Sequence, residues 1–466
     1  MIQLRLSTFI LILAATTVIL PATNSSAASQ GLPGPANSGS LSNGKPLRLS
    51  WEEAIRIGLE RHPLIRVSEH EALQAEAVTK QIESANYPQI TGIYANSGGN
   101  TRVLANLGVS GSLPKPVNYL TTPGVRVDLL ITDFGHTAHK VLANKSLTAS
   151  AQKQILTTKA VVILGVEQAY LNCLKLQRVV EIAREVFKER DLIRQQAESF
   201  FRHNLRSKLD LDFATVEVKR AELALIKAEN DLKLAFATLN NAMGLQNQSE
   251  YVLEDVSLEM KPVQPIEPLF ELALARRPEL LGSKDRIQAA AEALKAAQAL
   301  HFGNITAIGT TGYTWWSREE RPSGKEVSNP GAKLGWWGAG GASSFPLYTG
   351  GRIEGQVEEA EARKGEVQAS TRSIANDVIL QVAEAYLTRL TAEQQIKVAE
   401  EKVATAREAL TLARERYKVG LGSILDVTTA TADLLSAQVG LADAQYSYRA
   451  SEAAVAYASG TEYARY

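Results

Sequence analysis

Cysteine is nearly missing from this 466-residue chain, where Cys173 stands alone. One cysteine makes neither an intramolecular disulfide nor a thiolate metal site. In the helical stretch EQAYLNCLKLQ it reads as a small buried apolar residue. Histidines are few, six in all, and only His136 and His139 are neighbours; an i, i+3 pair alone does not define a metal site. Neither sign of charge is in excess, since 50 Lys and Arg balance 50 Asp and Glu. The basic footprint of a nucleic-acid binder is therefore missing. Long apolar runs are also missing, apart from Phe9–Leu20, which is too short for a comfortable membrane span. Preceded by Arg5 and followed by Ser26-Ala27-Ala28, that run reads as a secretory signal over 1–28. No cysteine lies near the cut, so lipid attachment there is excluded. Residues 29–47, rich in Gly, Ser, Asn and Pro, read as a flexible leader. There is no nucleophile–base pairing, no Gly-rich phosphate loop before a helix and no metal-spaced His/Cys set. Glu358-Glu359 and Glu400-Glu401 are helix faces. The expectation is no enzyme and no cofactor.

What is present is a repeat. From Arg416 to Gly460 a turn, Val419-Gly420-Leu421-Gly422, leads into a helix with a seven-residue beat. Val427, Leu434, Leu441 and Tyr448 are large, and Ala430, Ala437 and Ala444 are small. This is an a/d seam of alternating bulk that lets two helix backbones approach closely. The same stretch occurs from Phe201 to Gly244, with Leu211, Val218, Leu225, Leu232 and Leu239 large and Ala214, Ala221, Ala228 and Ala235 small. Ser207, Leu209, Asp210 and Gly244 match Ser423, Leu425, Asp426 and Gly460 at an offset of about 216 positions, so the chain contains itself twice. The copies occupy 48–245 and 267–460, with a linker at 246–266 and a short tail at 461–466.

Each copy opens with a helical run carrying a proline, Pro63 or Pro278, that kinks or interrupts it. Ser50 and Glu53 form a capping box before the first. Texture then changes. YPQITGIYANSGG and FGNITAIGTTGYTWW are β-branched, aromatic and almost uncharged, and read as strands. In VRVDLLITDFG, Val125, Val127, Leu129 and Ile131 lie on one face, Arg126, Asp128 and Thr132 on the other, and Leu130 breaks the alternation. Its copy, about Leu334 to Tyr348, is glycine-rich. Four strands cannot close a barrel. Two readings stand for their apolar face: packing on the helices, or a lipid-facing wall closed by strands from several copies of the chain. Trp315, Trp316, Trp336 and Trp337 crowd strand ends, where an aromatic girdle sits, and this favours the second. Each strand pair precedes a proline-free helix of roughly 90 Å, which runs to the tip turn. The seam helix that returns covers only about 54 Å, and the opening helix can complete the second strand of the coil end to end.

The opening LSWEEAIRIGLERHP, the junctions DFGHTAHK and LYTGGRIEG, the tip YKVGLGSILDV, and the closing AMGL and ASG resemble the TolC-like outer-membrane efflux proteins over nearly all of the mature sequence. The resemblance implies a mainly α fold of duplicated coiled-coil hairpins with four inserted strands. It also implies a homotrimer closing a twelve-stranded barrel and a helical tunnel across the periplasm of a Gram-negative bacterium. The implied function is a passive exit duct in the outer-membrane lipid, for tripartite efflux or type I secretion, opened by a periplasmic adaptor and an inner-membrane pump. A periplasmic coiled-coil scaffold without a pore is the alternative; it needs neither alternating strands nor tryptophan clusters. In the family, an aromatic, an Arg and two Asp at the second tip hold the gate shut. Tyr417 and Asp426 match the aromatic and the first Asp, while Gly422 and Thr429 replace the Arg and the second Asp. Arg206 occupies the equivalent slot of the first copy, which makes an Arg206–Asp426 lock an expectation. Asp210 and Asp426 also suit the first turn of a helix, where they complement its dipole. Asn204, Leu205, Val419, Gly420 and Leu421 are the expected adaptor-docking tips.

Overall fold

A computed structural model describes residues 47–97, 119–246, 251–257, 259–260, 262, 264–320 and 327–461. The signal segment 1–28, the leader up to 46 and the tail beyond 461 lie outside the described residues. These residues fall into two compact units, one of 74–148 and 286–368, the other of 47–73, 149–285 and 369–461.

The first unit holds the sheet. Strands β2 (Gln89–Ser97), β3 (Tyr119–Thr132), β5 (Asn304–Glu320) and β6 (Val327–Ser344) form one antiparallel sheet in that order. The strand pair of each repeat thus lies beside its copy. Register aligns Ile90, Val127, Gly309 and Ala339 across the four strands. Side chains alternate between faces along a strand, so Ile90, Tyr94, Val125, Val127, Leu129, Tyr313, Trp315 and Trp337 share one face. Gln89, Thr91, Arg126, Asp128, Thr306 and Thr310 share the other. Leu130 pairs with Thr306 in regular register and so stands as an apolar residue on the face of Arg126 and Asp128; the ladder to β5 shifts register just after it, between Leu130 and Thr132, where a bulge displaces one residue from the period of two.

The second unit holds a parallel pair that the sequence reading missed, β1 (Leu47–Leu49) with β4 (Tyr251–Leu253). Leu47, assigned to the leader, and Tyr251, assigned to the linker, are register partners in this pair. Three-residue strands carry no readable period; Tyr170 supplies the anchor, its buried hydroxyl directed at the Leu49 carbonyl at 2.9 Å and the Glu254 carbonyl at 2.8 Å. Leu49, Val166, Tyr170, Leu171, Cys173 and Leu239 form the core around it.

The helices follow the duplication. Helix α1 (Trp51–Arg61) ends at His62 and α2 (Pro63–Glu83) begins at Pro63; α5 (Glu267–Arg276) and α6 (Pro278–Ala299) do the same across Arg277. His62 and Arg277 are extended, with ψ of 125° and 124°, because a residue before proline is pushed out of the helical region. Proline then starts the next helix, where its missing N–H costs nothing. The run breaks rather than kinks. Helices α3 (His136–Arg202) and α7 (Arg352–Lys418) are each 67 residues long, about 100 Å. The returning α4 (Lys208–Ala242) and α8 (Ile424–Ser459) carry the seams. Ala214, Ala221, Ala228, Ala235, Ala430, Ala437 and Ala444 are all buried, as the bulk alternation requires. Ile182 and Val186 of α3 and Ala221 of α4 pack with Leu435 and Val439 of α8, so the two hairpins share a core. Gly244 and Gly460 close the return helices at φ of +72° and +71°. A Cβ on Gly244 would meet the His62 Cα at 2.6 Å, which fixes glycine there.

Candidate functional site

The two tip turns have the same construction. After α3, the Asn204 N–H donates to the Phe201 carbonyl and the Leu205 N–H to the Phe200 carbonyl. After α7, the Gly420 N–H donates to Tyr417 and the Leu421 N–H to Arg416. Asn204 (φ 54°) and Gly420 (φ 81°) take the left-handed position, which asparagine tolerates better than most residues. Each turn then lifts its leucine into solvent: Leu205 is 68 % and Leu421 75 % exposed. Val419 is exposed as well, and so are Leu209 and Leu425 in the first turn of each return helix. The last two form part of the same apolar tip surface and were not among the expected docking residues, although their match at the repeat offset was visible in the sequence.

Ser207 and Ser423 cap the return helices. The Ser207 hydroxyl accepts from the Asp210 N–H at 3.4 Å and the Ser423 hydroxyl from the Leu425 N–H at 3.2 Å. Asp426 completes a capping box by accepting from the Ser423 N–H at 3.0 Å. Within the chain Asp426 is therefore engaged by its own helix, and Arg206, its expected partner, meets Tyr417. The Arg206 guanidinium lies 5.0 Å from the centre of the Tyr417 ring and donates to the Tyr417 carbonyl at 3.3 Å. Arg206 closes the first hairpin and Tyr417 the second, so this contact ties one tip to the other.

Tyr417 is 5 % exposed and packs with Ile193, Leu410, Ile424, Val427 and Phe200. Its hydroxyl has no hydrogen-bond partner among the described residues. Burial raises its pKa, the Asp210 charge raises it further, and Arg206 opposes both. Tyr417, Arg206 and Asp210 are thus brought together, whereas Asp426 and Thr429 stay on the exposed side of α8. The neighbouring Thr428 is the residue that turns inward. Its carbonyl accepts from the buried Arg190 at 2.8 Å, and Arg190 also pairs with Glu217 at 3.4 Å. Glu189 of α3 pairs with Arg414 of α7. Arg190, Glu189 and Arg414 were not foreseen, because a charge on a long helix reads as solvated until a neighbour covers it.

The four tryptophans are divided by the sheet register. Trp315 and Trp337 lie on the apolar face, and Trp337 is 78 % exposed. Lys333, opposite Trp315, places its ammonium 5.9 Å from that indole. Trp336 lies on the polar face against Gly312 and Gly124, where an added Cβ would approach its ring to 2.7 and 3.1 Å. The Trp316 side chain lies outside the described residues. No helix among the described residues is long and apolar enough to cross a membrane, and none of them forms a group of three potential metal ligands.

Comparison with known proteins places these features in a family. The model of the outer membrane efflux proteins matches residues 54–245 and 269–461, the two repeats in turn. The outer membrane efflux protein BepC of Brucella suis is 24% identical over 389 residues, which is 81% of this chain and 78% of the relative. The outer membrane protein TolC of Vibrio cholerae is 26% identical over 67% of this chain and 70% of its own length. Among solved structures, the Campylobacter jejuni CmeC outer membrane channel superposes with a TM-score of 0.74 at 18% identity, covering 88% of this chain and 85% of its own. The outer membrane protein VceC of Vibrio cholerae does so with 0.71 at 20% identity, covering 88% and 96%.

Proposed function

Because the chain belongs to the outer membrane efflux protein family, we propose that it is the outer-membrane exit duct of a tripartite efflux or type I secretion system. It is a passive channel without chemistry of its own, set in the outer membrane of a Gram-negative bacterium and loaded by a periplasmic adaptor and an inner-membrane pump. The observation that carries this reading is the sheet. Its four strands end on β2 and β6, and one face is apolar and aromatic while the other carries Arg126 and Asp128. A sheet with two open edges in lipid leaves backbone groups without partners. Closure by three copies makes a barrel of about twelve strands, within the size range of membrane barrels, and leaves the long helices to form the tunnel. Trp315 and Trp337 then face lipid headgroups, with Lys333 reaching past the indole to water. A pore-less scaffold has no use for such a sheet.

At the tip, Tyr417, Arg206 and Asp210 hold the entrance closed within each chain, with Asp426 and Thr429 lining it. Asn204, Leu205, Val419, Gly420 and Leu421 dock the adaptor, and Leu209 and Leu425 extend that surface. The test is reconstitution of the mature protein in a planar bilayer together with cell fractionation. An outer-membrane protein that conducts supports the reading, and a soluble periplasmic monomer without conductance rejects it.

A further inference from the structure

Among the described residues, the polar face of the sheet holds one ion pair. Arg126 and Asp128 are two residues apart on β3, so both project from the same face. The guanidinium meets the carboxylate through two nitrogens: Nε lies 3.0 and 2.9 Å from the two carboxylate oxygens, and Nη2 lies 2.8 Å from the first. Such paired contacts fix geometry as well as charge. The cross-strand neighbours of Arg126 are Thr91 and Thr310, and those of Asp128 are Gln89 and Ile308, so neither partner has a charged residue directly opposite it. Among the residues of this four-stranded sheet with described side chains, the one other charge is Lys333, which lies on the opposite face. The second repeat provides no counterpart, since the copy of β3 is the glycine-rich β6. Two residues along β3, Gly124 makes room for the Trp336 ring to lie against the sheet beside the pair.

We propose that Arg126 and Asp128 set the ion preference of the barrel's inner wall, with Asp128 cancelling the charge of Arg126 so that the wall presents no net charge to the cargo. The proposal rests on the duct reading above, which puts this face inside the barrel. A charge facing lipid is costly, and the other face offers the exposed apolar side chains of Ile90, Tyr94, Tyr313 and Trp337 instead. In the closed assembly each chain contributes one pair to the same level of the bore. Removing one partner leaves like charges around a ring, and fields in a cleft with low-dielectric walls are focused on whatever passes.

The test is the reversal potential of the reconstituted full-length mature protein under a KCl gradient. The dilute side is kept at about 0.01 M, where the Debye length is about 30 Å and screening does not hide the wall. Asp128→Asn frees the guanidinium and is expected to shift the reversal potential toward anion preference. Arg126→Gln is expected to shift it toward cations. Asp128→Glu keeps the charge and is expected to stay near the parent. Attachment of a charged methanethiosulfonate to Arg126→Cys is expected to change conductance, whereas Ile90→Cys, exposed on the opposite face, is expected to leave it unchanged. If both charge variants conduct with the parent's reversal potential, the proposal is wrong while the duct reading stands. If Ile90→Cys responds and Arg126→Cys does not, the face assignment is wrong. If the parent forms no channel, the duct reading falls and takes the proposal with it.

Discussion

Arg206 holds Tyr417 by stacking, a contact worth about 0.5–2 kcal/mol depending on how far it is desolvated. The partly buried Arg206 has no carboxylate partner in its own chain among the described contacts, so the ring is its main attachment across the tips. Replacing either side chain should loosen the same contact. Arg206→Ala and Tyr417→Leu are each expected to raise resting single-channel conductance, and the double variant is expected to add little beyond the larger single effect. Additive effects would mean that the two residues act separately. Cys173 gives a second prediction. Burial pushes its thiol up to about 12, so at pH 8 almost no thiolate forms in the folded chain. A maleimide or disulfide reagent is expected to leave it unmodified in native protein and to label it fully in guanidinium. Rapid labelling of native protein would contradict the packing around Tyr170.

The tip turns and the strands were legible to different extents at the scale of elements. The turns were visible because Gly420 marks a left-handed position and because the pattern recurs at Asn204. The leucine of each turn, Leu205 or Leu421, stands in solvent, and under the proposed function it is the docking residue. Leu421→Asp is expected to abolish transport and adaptor capture while leaving assembly and localisation intact, since the side chain is already in solvent. Unchanged transport would move the docking surface elsewhere. The seam helices were legible from the alternation of bulk alone, and their buried alanines bear this out. β1 and β4 were not legible, because three residues give no period and their stability comes from Tyr170, 121 positions from Leu49.

At the scale of the whole molecule, the repeat is the governing fact. Two copies in one chain give the four strands of this sheet and four long helices, and under the proposed function the sheet's edges at β2 and β6 meet further copies of the chain. We expect three. A chemical crosslinker applied to intact cells should give a ladder that ends at the trimer in the outer-membrane fraction. Introducing proline on the outer edge of β2, at a position whose N–H would serve the neighbouring copy's ladder, should shorten that ladder. A ladder that ends at the dimer, or no crosslinking at all, would exclude the twelve-stranded closure.

The duplication, the helix breaks at Pro63 and Pro278, the seam, the tip turns and the alternation of β3 are properties of local period and backbone stereochemistry, and the sequence by itself determined them. Tertiary structure decided the partners. Asp426 had two roles open to it, a lock with Arg206 or a cap on its own helix, and within the chain it caps, because Ser423 is three residues away and always present. Arg206, left without Asp426, stacks on a ring 211 positions distant. The tryptophans read as one girdle, yet strand register placed Trp336 opposite Trp315 and Trp337, since adjacent residues on a strand face opposite ways. Arg190 and Arg414 read as solvated, yet each meets the other hairpin, Arg190 at the Thr428 carbonyl and Arg414 at Glu189. Periodicity fixes which face a residue takes, but what lies against that face depends on chain segments far away in sequence.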